Sequence, residues 1–360
     1  MRRAAVVLAS TALVAAVVAA VAVVATRPAG TASQHHRRGK PVTSYYLSLG
    51  DSLSRGVQPD PAGASVPTDH GYPDQLYAML RPGDPGLRLV KLGCSGETTA
   101  TMIHGGICTY PGGSQLAAAV RFLRAHRGRV SLITIDIGAN DPNACITQLS
   151  LSKIAACISS AIPDTAGNLA SIMRALRAAG GRKLRVIGMS YYVPELAAWR
   201  DGAAGQLVAR LAERLAAVLN HVLTSTYTAF GARVADVSQA FSSGDFTSQV
   251  TRPALGTVPR NVALICSWTW ACAPPPRGPN EHPNAAGYRV IASSFRRADQ
   301  PCPLQQQGHA IQILSSARLP LMQLHLGIVN APRGAGYLPA SRPAPCKPAS
   351  NPLKVHLGGF

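Results

Sequence analysis

Residues 45–56 read YYLSLGDSLSRG and carry the strongest local signal in the chain. An apolar run of tyrosine and leucine stops at Gly50, and the tetrapeptide DSLS with Ser52 at its second position follows. This pattern predicts a buried strand that delivers Ser52 onto a tight turn opening a helix, where backbone N–H groups lack intrahelical partners. Such a serine can act as a nucleophile beside donors for an oxyanion. An ordinary helix-capping serine is the alternative that this stretch alone leaves open.

Short apolar runs alternate with longer helical patterns along the middle of the chain. The predicted strands are Tyr45–Leu49, Leu87–Leu92, Val130–Ile137, Leu184–Met189 and Arg233–Val237. The predicted helices are Pro73–Leu80, Gln115–His126, Thr165–Ala179 and Leu196–Tyr227. This alternation predicts a parallel sheet with helices on both faces. Ligands of such sheets bind outside the carboxyl ends of the strands, and Ser52, Gly93 and Asn140 all follow predicted strands closely.

Composition sets the class of protein and of partner. The chain has 360 residues, of which 47% are hydrophobic and 14% charged, so a substantial core is expected. The net charge of +19 is spread along the chain, and aromatic residues make up only 5%. Nucleic-acid binding needs a dense basic patch, often with interleaved aromatic residues, and no such stretch occurs. We therefore expect no nucleic-acid partner, and the charge favours contact with anionic lipid or cell-wall polymer.

The N-terminus reads as a targeting segment. Met1-Arg2-Arg3 precedes an uncharged run over residues 4–25, which predicts an export signal within residues 1–32. The same run is long enough to remain as a membrane anchor, with the following domain outside the cell. Residues 33–43 then read as a polar linker. Secretion is the expected outcome, and a signal anchor is the alternative.

The eight cysteines agree with export into an oxidising compartment. Six of them form three close pairs along the sequence, and local pairing is the simplest arrangement. The expected disulfides are Cys94–Cys108, Cys145–Cys157 and Cys266–Cys272, and the pairing of Cys302 and Cys346 stays open. A zinc site is not expected, because no C-x-x-C pair and no histidine at zinc-ligand spacing accompanies these cysteines.

Three further blocks carry candidate site residues. Gly93, in LGCSGET, lets backbone N–H groups approach a ligand, although an ordinary turn would use the same glycine. Asn140, in IDIGAND, can aim a side-chain N–H at an oxyanion, although Asn and Asp also simply form turns. His282, in NEHPNAAGY, can serve as the general base for Ser52, although a single histidine is more often structural.

Taken in order, the four blocks resemble the SGNH/GDSL hydrolase family of esterases and lipases, over about residues 44–297. The similarity is strongest to its secreted actinobacterial branch, which also has paired cysteines. The resemblance implies Ser52 as nucleophile and His282 as base. It implies an oxyanion hole made of the Ser52 N–H, the Gly93 N–H and the Asn140 side chain. Alternation and resemblance together predict a three-layer α/β/α sandwich with a mainly parallel, flavodoxin-like five-stranded sheet.

One position departs from the family pattern. Many members have an aspartate three residues before the histidine, and Pro279 occupies that position here. The third residue of a triad holds the imidazole tautomer and stabilises the imidazolium. Some members of the similar branch use a main-chain carbonyl instead, so the Pro279 C=O is the expected partner of His282. The carboxylates of Asp236, Asp245 and Glu281 are the alternatives.

The resulting expectation is a secreted serine ester hydrolase, a lipase or esterase that acts on carboxylic and above all lipid acyl esters, without metal or cofactor. Deacetylation of a cell-wall glycan by the same machinery is one alternative, and a non-catalytic binding or scaffold protein is another. The catalytic domain is expected over residues 44–298, as a monomer. Residues 299–360 contain nine prolines and no strand–helix alternation, which predicts a loosely structured extension.

Overall fold

A five-stranded parallel sheet forms the centre of the protein. The computed structural model of the chain describes residues 42–142, 145 and 151–300. The sheet strands are β1 (Ser44–Gly50), β4 (Leu87–Lys91), β5 (Val130–Asp136), β6 (Arg185–Met189) and β7 (Arg233–Ala235), in the order β4-β1-β5-β6-β7. All four pairings within it are parallel. This is the flavodoxin-like order predicted from the sequence, and it puts the topological switch point at β1, between β4 and β5.

Eight α-helices lie within the described residues. They are α1 (Tyr72–Leu80), α2 (Thr99–His104), α3 (Gln115–Ala125), α4 (Leu151–Gly180), α5 (Gly202–Ala229), α6 (Val237–Ala240), α7 (Arg260–Trp268) and α8 (Ala285–Asp299). Short 3-10 helices cover Arg81–Gly83 and Pro194–Asp201. Three small antiparallel hairpins complete the described elements: β2 (Gln58–Pro59) with β3 (Ser65–Val66), β8 (Gln249–Arg252) with β9 (Gly256–Pro259), and β10 (Thr269–Trp270) with β11 (Asn280–Pro283).

Helices cover both faces of the sheet, so the predicted three layers are confirmed. Helix α1 packs against α8 on one side, where the rings of Tyr72 and Phe295 stack at 4.6 Å. Helix α4 packs against α3 and α5 on the other side. The strands contribute fully buried side chains such as Leu47 and Ile133, which is typical of a sheet buried on both faces.

The predicted strands agree with the structure to within two residues at each end. Two predicted helices, Pro73–Leu80 and Gln115–His126, agree to within one residue, and the other two differ at their starts. Helix α4 begins at Leu151 rather than Thr165, and the predicted helix from Leu196 is a 3-10 segment followed by α5. The hairpins and the helices α2, α6 and α7 were not predicted, because elements of two to nine residues show too few repeats of the strand or helix period to be recognised.

Several predictions lie outside the described residues: the signal segment, most of the linker, the Pro-rich extension beyond residue 300, and Cys302 and Cys346. The domain bounds of 44–298 therefore stay a prediction. Among the described helices, none combines the length and the apolar composition that crossing a bilayer requires.

Candidate active site

Gly50 ends β1 in a conformation that only glycine adopts comfortably. Its φ is +132°, and a Cβ there would overlap the backbone and side chain of Asp136 on the neighbouring strand. The buried side chain of Gln115 then pairs with both backbone groups of Gly50. Gly50 N donates to Gln115 Oε1 at 2.6 Å, and Gln115 Nε2 donates to Gly50 O at 2.9 Å. The chain direction at the end of β1 is thereby fixed.

A buried carboxylate holds the turn that follows. Asp136, at the end of β5 and inaccessible to solvent, accepts hydrogen bonds through Oδ2 from Asp51 N at 3.3 Å and Ser54 N at 3.1 Å. Its Oδ1 accepts from the Tyr72 hydroxyl at 2.5 Å. The turn spans residues 51–56, and no α-helix starts at Ser52. The predicted helix opening was therefore wrong, because Asp136 accepts the N–H groups in a turn that returns toward the sheet.

Ser52 is half-buried in this turn, and its backbone N–H stays available for a ligand. Leu53 N donates to Asp51 Oδ1 and Ser54 N to Asp136, whereas the Ser52 N–H donates to no acceptor within the described residues. The Ser52 C=O accepts from Arg55 N at 3.2 Å and Val57 N at 3.1 Å. Ser52, which follows the carboxyl end of β1, thus carries both a hydroxyl and an N–H without an acceptor among the described residues.

Gly93 brings the loop after β4 against this turn. A Cβ at Gly93 would overlap the Ser54 hydroxyl, which itself donates to Asp51 O at 2.7 Å. The Gly93 N–H, like that of Ser52, has no acceptor among the described residues. Glycine is needed here for close approach, and the approach leaves a second backbone donor near the serine turn.

Asn140 follows β5 on the other side of β1. Its Nδ2 donates to Glu97 O, in the loop after β4, at 3.0 Å. The next residue, Asp141, accepts hydrogen bonds from the Thr99 N–H at 2.9 Å and from the Thr99 and Thr165 hydroxyls. Asp141 therefore fastens the Asn140 loop to α2 and α4, a structural role, while the Asn140 amide lies between the loops after β4 and β5.

The histidine block anchors α8 and joins it to the serine turn. Asn284 caps α8 by accepting from Ala286 N at 3.0 Å and Gly287 N at 3.1 Å. A Cβ at Gly287 would overlap the Trp268 carbonyl, so this helix turn can approach α7 only as glycine. The Tyr288 hydroxyl donates to Val57 O, just after the serine turn, at 2.8 Å. Asn284, Gly287 and Tyr288 thus fix the position of this block relative to α7 and the serine turn.

His282 is buried and bound by a side chain that was not predicted. Its Nδ1 lies 2.9 Å from Asn280 Oδ1, and its backbone N–H donates to the same oxygen at 3.0 Å. The Pro279 carbonyl accepts no hydrogen bond from His282 among the described residues. A neutral imidazole has a single N–H to donate, so the expected main-chain partner is replaced by Asn280.

Burial also sets the charge of His282. It lowers the pKa below the ordinary 6.5, and the Glu281 carboxylate opposes that shift weakly. Glu281 Oε1 lies 3.8 Å from Nδ1, and its side chain is 67% exposed, which lets water screen its charge. His282 is therefore neutral near pH 7, as a general base must be before it accepts a proton.

Two consecutive tyrosines connect the serine and histidine blocks. The Tyr191 hydroxyl donates to Asp51 Oδ2 at 2.9 Å, and the Tyr192 hydroxyl donates to Glu281 O at 2.8 Å. Both residues follow β6. The Asn220 side chain of α5 binds both backbone groups of Tyr191: the Tyr191 N–H donates to Asn220 Oδ1 at 2.7 Å, and Asn220 Nδ2 donates to Tyr191 O at 2.9 Å. The residues next to Ser52 and next to His282 are thus held by neighbouring rings.

The described residues contain no hydrogen bond between Ser52 Oγ and His282. Such bonds are often long without substrate and tighten in the reacting complex. The remote carboxylates are engaged elsewhere: Asp236 Oδ1 accepts from Ser190 Oγ and Gln239 N, and Asp245 accepts from Thr247 and Ser248. Neither of these two aspartates contacts the histidine.

The three expected disulfides form. Their Cα–Cα distances are 6.1 Å for Cys94–Cys108, 5.5 Å for Cys145–Cys157 and 4.9 Å for Cys266–Cys272. Cys94 directly follows Gly93, and the Cys266–Cys272 loop precedes the histidine block. Two of these cross-links therefore restrain loops that carry candidate site residues. Within the described residues, no group of three or more His, Cys, Asp or Glu is arranged to hold a metal ion.

Sequence reasoning missed Asp136, Gln115 and Asn280 as parts of the site. Nothing in the sequence marks Asp136 or Gln115, since one ends an apolar strand and the other starts a helix. Asn280 did carry a signal, because an asparagine side chain commonly accepts the N–H two residues further on. That rule places its oxygen beside His282.

The chain is thus an α/β/α protein in which Ser52, Gly93 and Asn140 follow three neighbouring strands of the parallel sheet. His282, on β11, is joined to the serine turn through the Tyr191–Tyr192 pair. The model of the GDSL-like lipase/acylhydrolase family matches residues 48–290 of the chain. The chain belongs to this family and is a carboxylic ester hydrolase. The resemblance stated from the four sequence blocks is therefore confirmed.

Several solved structures have a similar fold. Phospholipase A1 from Streptomyces albidoflavus is 20% identical, with 71% of this chain and 100% of that chain covered and a TM-score of 0.44. An extracellular lipase from Streptomyces rimosus is 19% identical, with 71% and 100% covered and a TM-score of 0.46. An acetylxylan esterase from Geobacillus stearothermophilus is 18% identical, with 72% and 96% covered and a TM-score of 0.39. No curated protein sequence matches the chain.

The buried acids below Ser52 predict a pH dependence of stability. Burial raises the pKa of Asp51 to about 6, and burial followed by the Asp51 charge raises the pKa of Asp136 well above 3.8. The folded state thus holds these protons more tightly than the unfolded chain. The stability from this pair is complete below the unfolded pKa and is lost as pH rises through the folded pKa values.

Asp136→Asn keeps the shape of the side chain but cannot ionise. It is therefore expected to reduce the loss of unfolding free energy as pH rises. Urea unfolding at pH 5 and pH 8 measures it, with Asp164→Asn on the exposed side of α4 as the matched control. The control should keep the wild-type decline. An Asp136→Asn variant whose unfolding free energy changes with pH as much as that of the wild type would contradict the assignment.

Proposed function

We propose that this hydrolase cleaves its ester through an acyl-enzyme on Ser52, with His282 as the base. The observation that carries the proposal is a pair of backbone N–H groups without acceptors among the described residues, one on Ser52 itself and one on Gly93, which packs against the serine turn. Backbone N–H groups that lack a protein acceptor are uncommon in folded proteins unless they face water or a ligand. Two of them at one sheet edge fit a site that binds a negatively charged oxygen.

The reaction then follows from the roles of these groups. Ser52 Oγ attacks the ester carbonyl carbon while His282 Nε2 accepts the hydroxyl proton. The carbonyl oxygen becomes an oxyanion between the Ser52 N–H, the Gly93 N–H and the Asn140 amide. His282 returns the proton to the leaving alcohol, and the acyl group remains on Ser52. Water, deprotonated by His282, releases the acid and restores the serine.

Substitution of single groups tests these roles. Ser52→Ala should abolish turnover of a p-nitrophenyl ester, because no other hydroxyl replaces the nucleophile. Asn140→Ala should lower kcat by about 10²–10³-fold while KM changes little, as expected for an oxyanion donor. Asn168→Ala, which removes a neighbouring amide that donates to Thr99 Oγ1, is the control and should keep kcat. Unchanged hydrolysis by Ser52→Ala would refute the mechanism.

A lipid acyl ester is the proposed substrate class. An apolar surface beside the active edge supports it: Leu207, Val208, Leu211 and Val218 of α5 are 70%, 51%, 47% and 50% exposed. These residues precede Asn220, which bonds to Tyr191 at the end of β6. The first half of α5 therefore extends past the sheet on the side of Ser52. Exposed apolar side chains on one helix are typical of surfaces that contact a membrane or another protein, and a membrane contact suits a lipid ester substrate.

A substrate panel separates lipid from glycan. We expect kcat/KM to rise with acyl length from acetyl to long-chain p-nitrophenyl esters, and Leu207→Asp with Leu211→Asp to reduce activity on dispersed lipid more than on soluble acetate ester. The exposed Ala203→Asp variant, earlier on the same helix, serves as the charge control. A preference for acetylated glycan over every acyl ester would instead favour the deacetylase.

We propose that the protein is exported from the cell and acts as a monomer. Three disulfides support an oxidising compartment, since such bonds are rare in reducing cytosol. The basic start and apolar run of residues 1–32 support a secretion signal. N-terminal sequencing of the protein recovered from culture medium should find a chain that begins after the apolar run. Recovery only in the membrane fraction, with residues 4–25 intact, would favour the signal anchor.

A further inference from the structure

The side-chain amide of Asn280 joins the two halves of the site. Its oxygen faces the backbone N–H and Nδ1 of His282 at 3.0 and 2.9 Å. Its Nδ2 donates to Ser65 Oγ, on the β2–β3 hairpin that follows the serine turn, at 2.9 Å. The amide is thus bound at both ends, between the histidine loop and the segment that begins with Ser52.

These contacts determine which ring nitrogen carries the proton. A backbone N–H can only donate, so the Asn280 atom that faces the His282 N–H must be the amide oxygen. The same oxygen faces Nδ1, and an amide oxygen cannot donate. Nδ1 therefore carries the hydrogen in the neutral ring, and the lone pair lies on Nε2. That is the tautomer in which Nε2 can accept a proton from a serine hydroxyl.

We propose that Asn280 is the positioning residue of this hydrolase, a neutral amide in the role that a carboxylate has in a Ser-His-Asp triad. The proposal rests on His282 being the base of the proposed function. Asn280 orients the ring and selects its tautomer, but it supplies no charge to the imidazolium that forms during the reaction. Ser65 stabilises the amide from the far side.

Because few charges act on the His282 ring, replacing the neutral Asn280 amide with a carboxylate should measurably change the protonation of that ring. Glu281 is the charged group that acts on His282 among the described residues, and it is mostly exposed. Asp51, Glu281, Glu195 and Asp136 act on Tyr192, whose hydroxyl donates to Glu281 O, and Asp51 is itself bound by Tyr191. A carboxylate introduced at position 280 would thus be the nearest negative charge to Nδ1, and it would favour the protonated ring.

The experiment compares Asn280→Ala and Asn280→Asp with wild type by pH–rate profiles on a soluble p-nitrophenyl ester. Asn280→Ala should lower kcat by at least ~10-fold with little change in KM, and by no more than the ~10²–10⁴-fold that a positioned general base contributes. Asn280→Asp should retain activity at high pH, with the acid limb of kcat/KM moved upward by about one pH unit or more. Glu281→Gln should move that limb slightly downward, since it removes a weak opposing charge.

A second readout does not depend on turnover. In ¹⁵N-histidine-labelled protein carrying Ser52→Ala, the His282 nitrogen shifts report the tautomer. We expect the Nδ1–H form with Asn280 present and a mixture of Nδ1–H and Nε2–H forms in Asn280→Ala. Asn284→Ala, which removes the α8 cap from the same loop, is the structural control and should lower Tm without changing the tautomer.

The outcomes separate the two proposals. An Asn280→Ala protein that keeps the Nδ1–H form, or an Asn280→Asp protein with the wild-type acid limb, would overturn the positioning role. A changed tautomer in Asn280→Ala, together with full ester hydrolysis by Ser52→Ala, would support the geometry around His282 and overturn the proposed nucleophile.

Discussion

The Asp136 carboxylate is the group on which the geometry of the site depends. It ends β5, lies below the turn that follows β1, and accepts two N–H groups of that turn together with the Tyr72 hydroxyl. Those bonds occupy the donors of Asp51 and Ser54 and leave the donor of Ser52 free. A buried carboxylate is unfavourable unless it is well hydrogen-bonded. The turn supplies those bonds, so the acid and the turn stabilise each other.

Beyond the turn that Asp136 holds, the rest of the site is assembled by segments that follow four strands rather than by one rigid element. Gly50 and Gly93 permit close approach of backbones, and the Tyr191–Tyr192 pair joins the neighbours of Ser52 and His282. The groups that surround the serine are mostly neutral: backbone N–H groups, amides and a histidine kept uncharged by burial. A neutral, partly buried setting strengthens the interaction of donors with an oxyanion when it forms.

The sequence predicted the sheet, and which residues follow the carboxyl ends of its strands, because those signals are local. Apolar runs that stop at Gly50 and at Gly138 identify strands, and the residues after them share one edge of a parallel sheet. The three disulfides were also predictable, because each closes a short loop. The turn after Ser52 was predicted as a helix start, since an acceptor contributed by Asp136 from 82 residues away leaves no local pattern.

The partner of His282 shows the same distinction between signals that are local in the sequence and contacts that are not. Family resemblance pointed to position 279, where a carboxylate is common, and hence to the Pro279 carbonyl. The local rule for asparagine side chains, had it been applied, would have pointed one residue further, to Asn280, and the structure has that contact. Gln115 could not have been found by either route, because its contact with Gly50 depends on how α3 packs beside β1.

The central claim is that Ser52 is a nucleophile activated by its surroundings. Reaction of the whole protein with a fluorophosphonate, followed by peptide mass spectrometry, tests it most directly. We predict a single adduct, on the peptide that contains Ser52, formed far more slowly in His282→Ala. An unlabelled protein, or an adduct on another serine, would contradict the account.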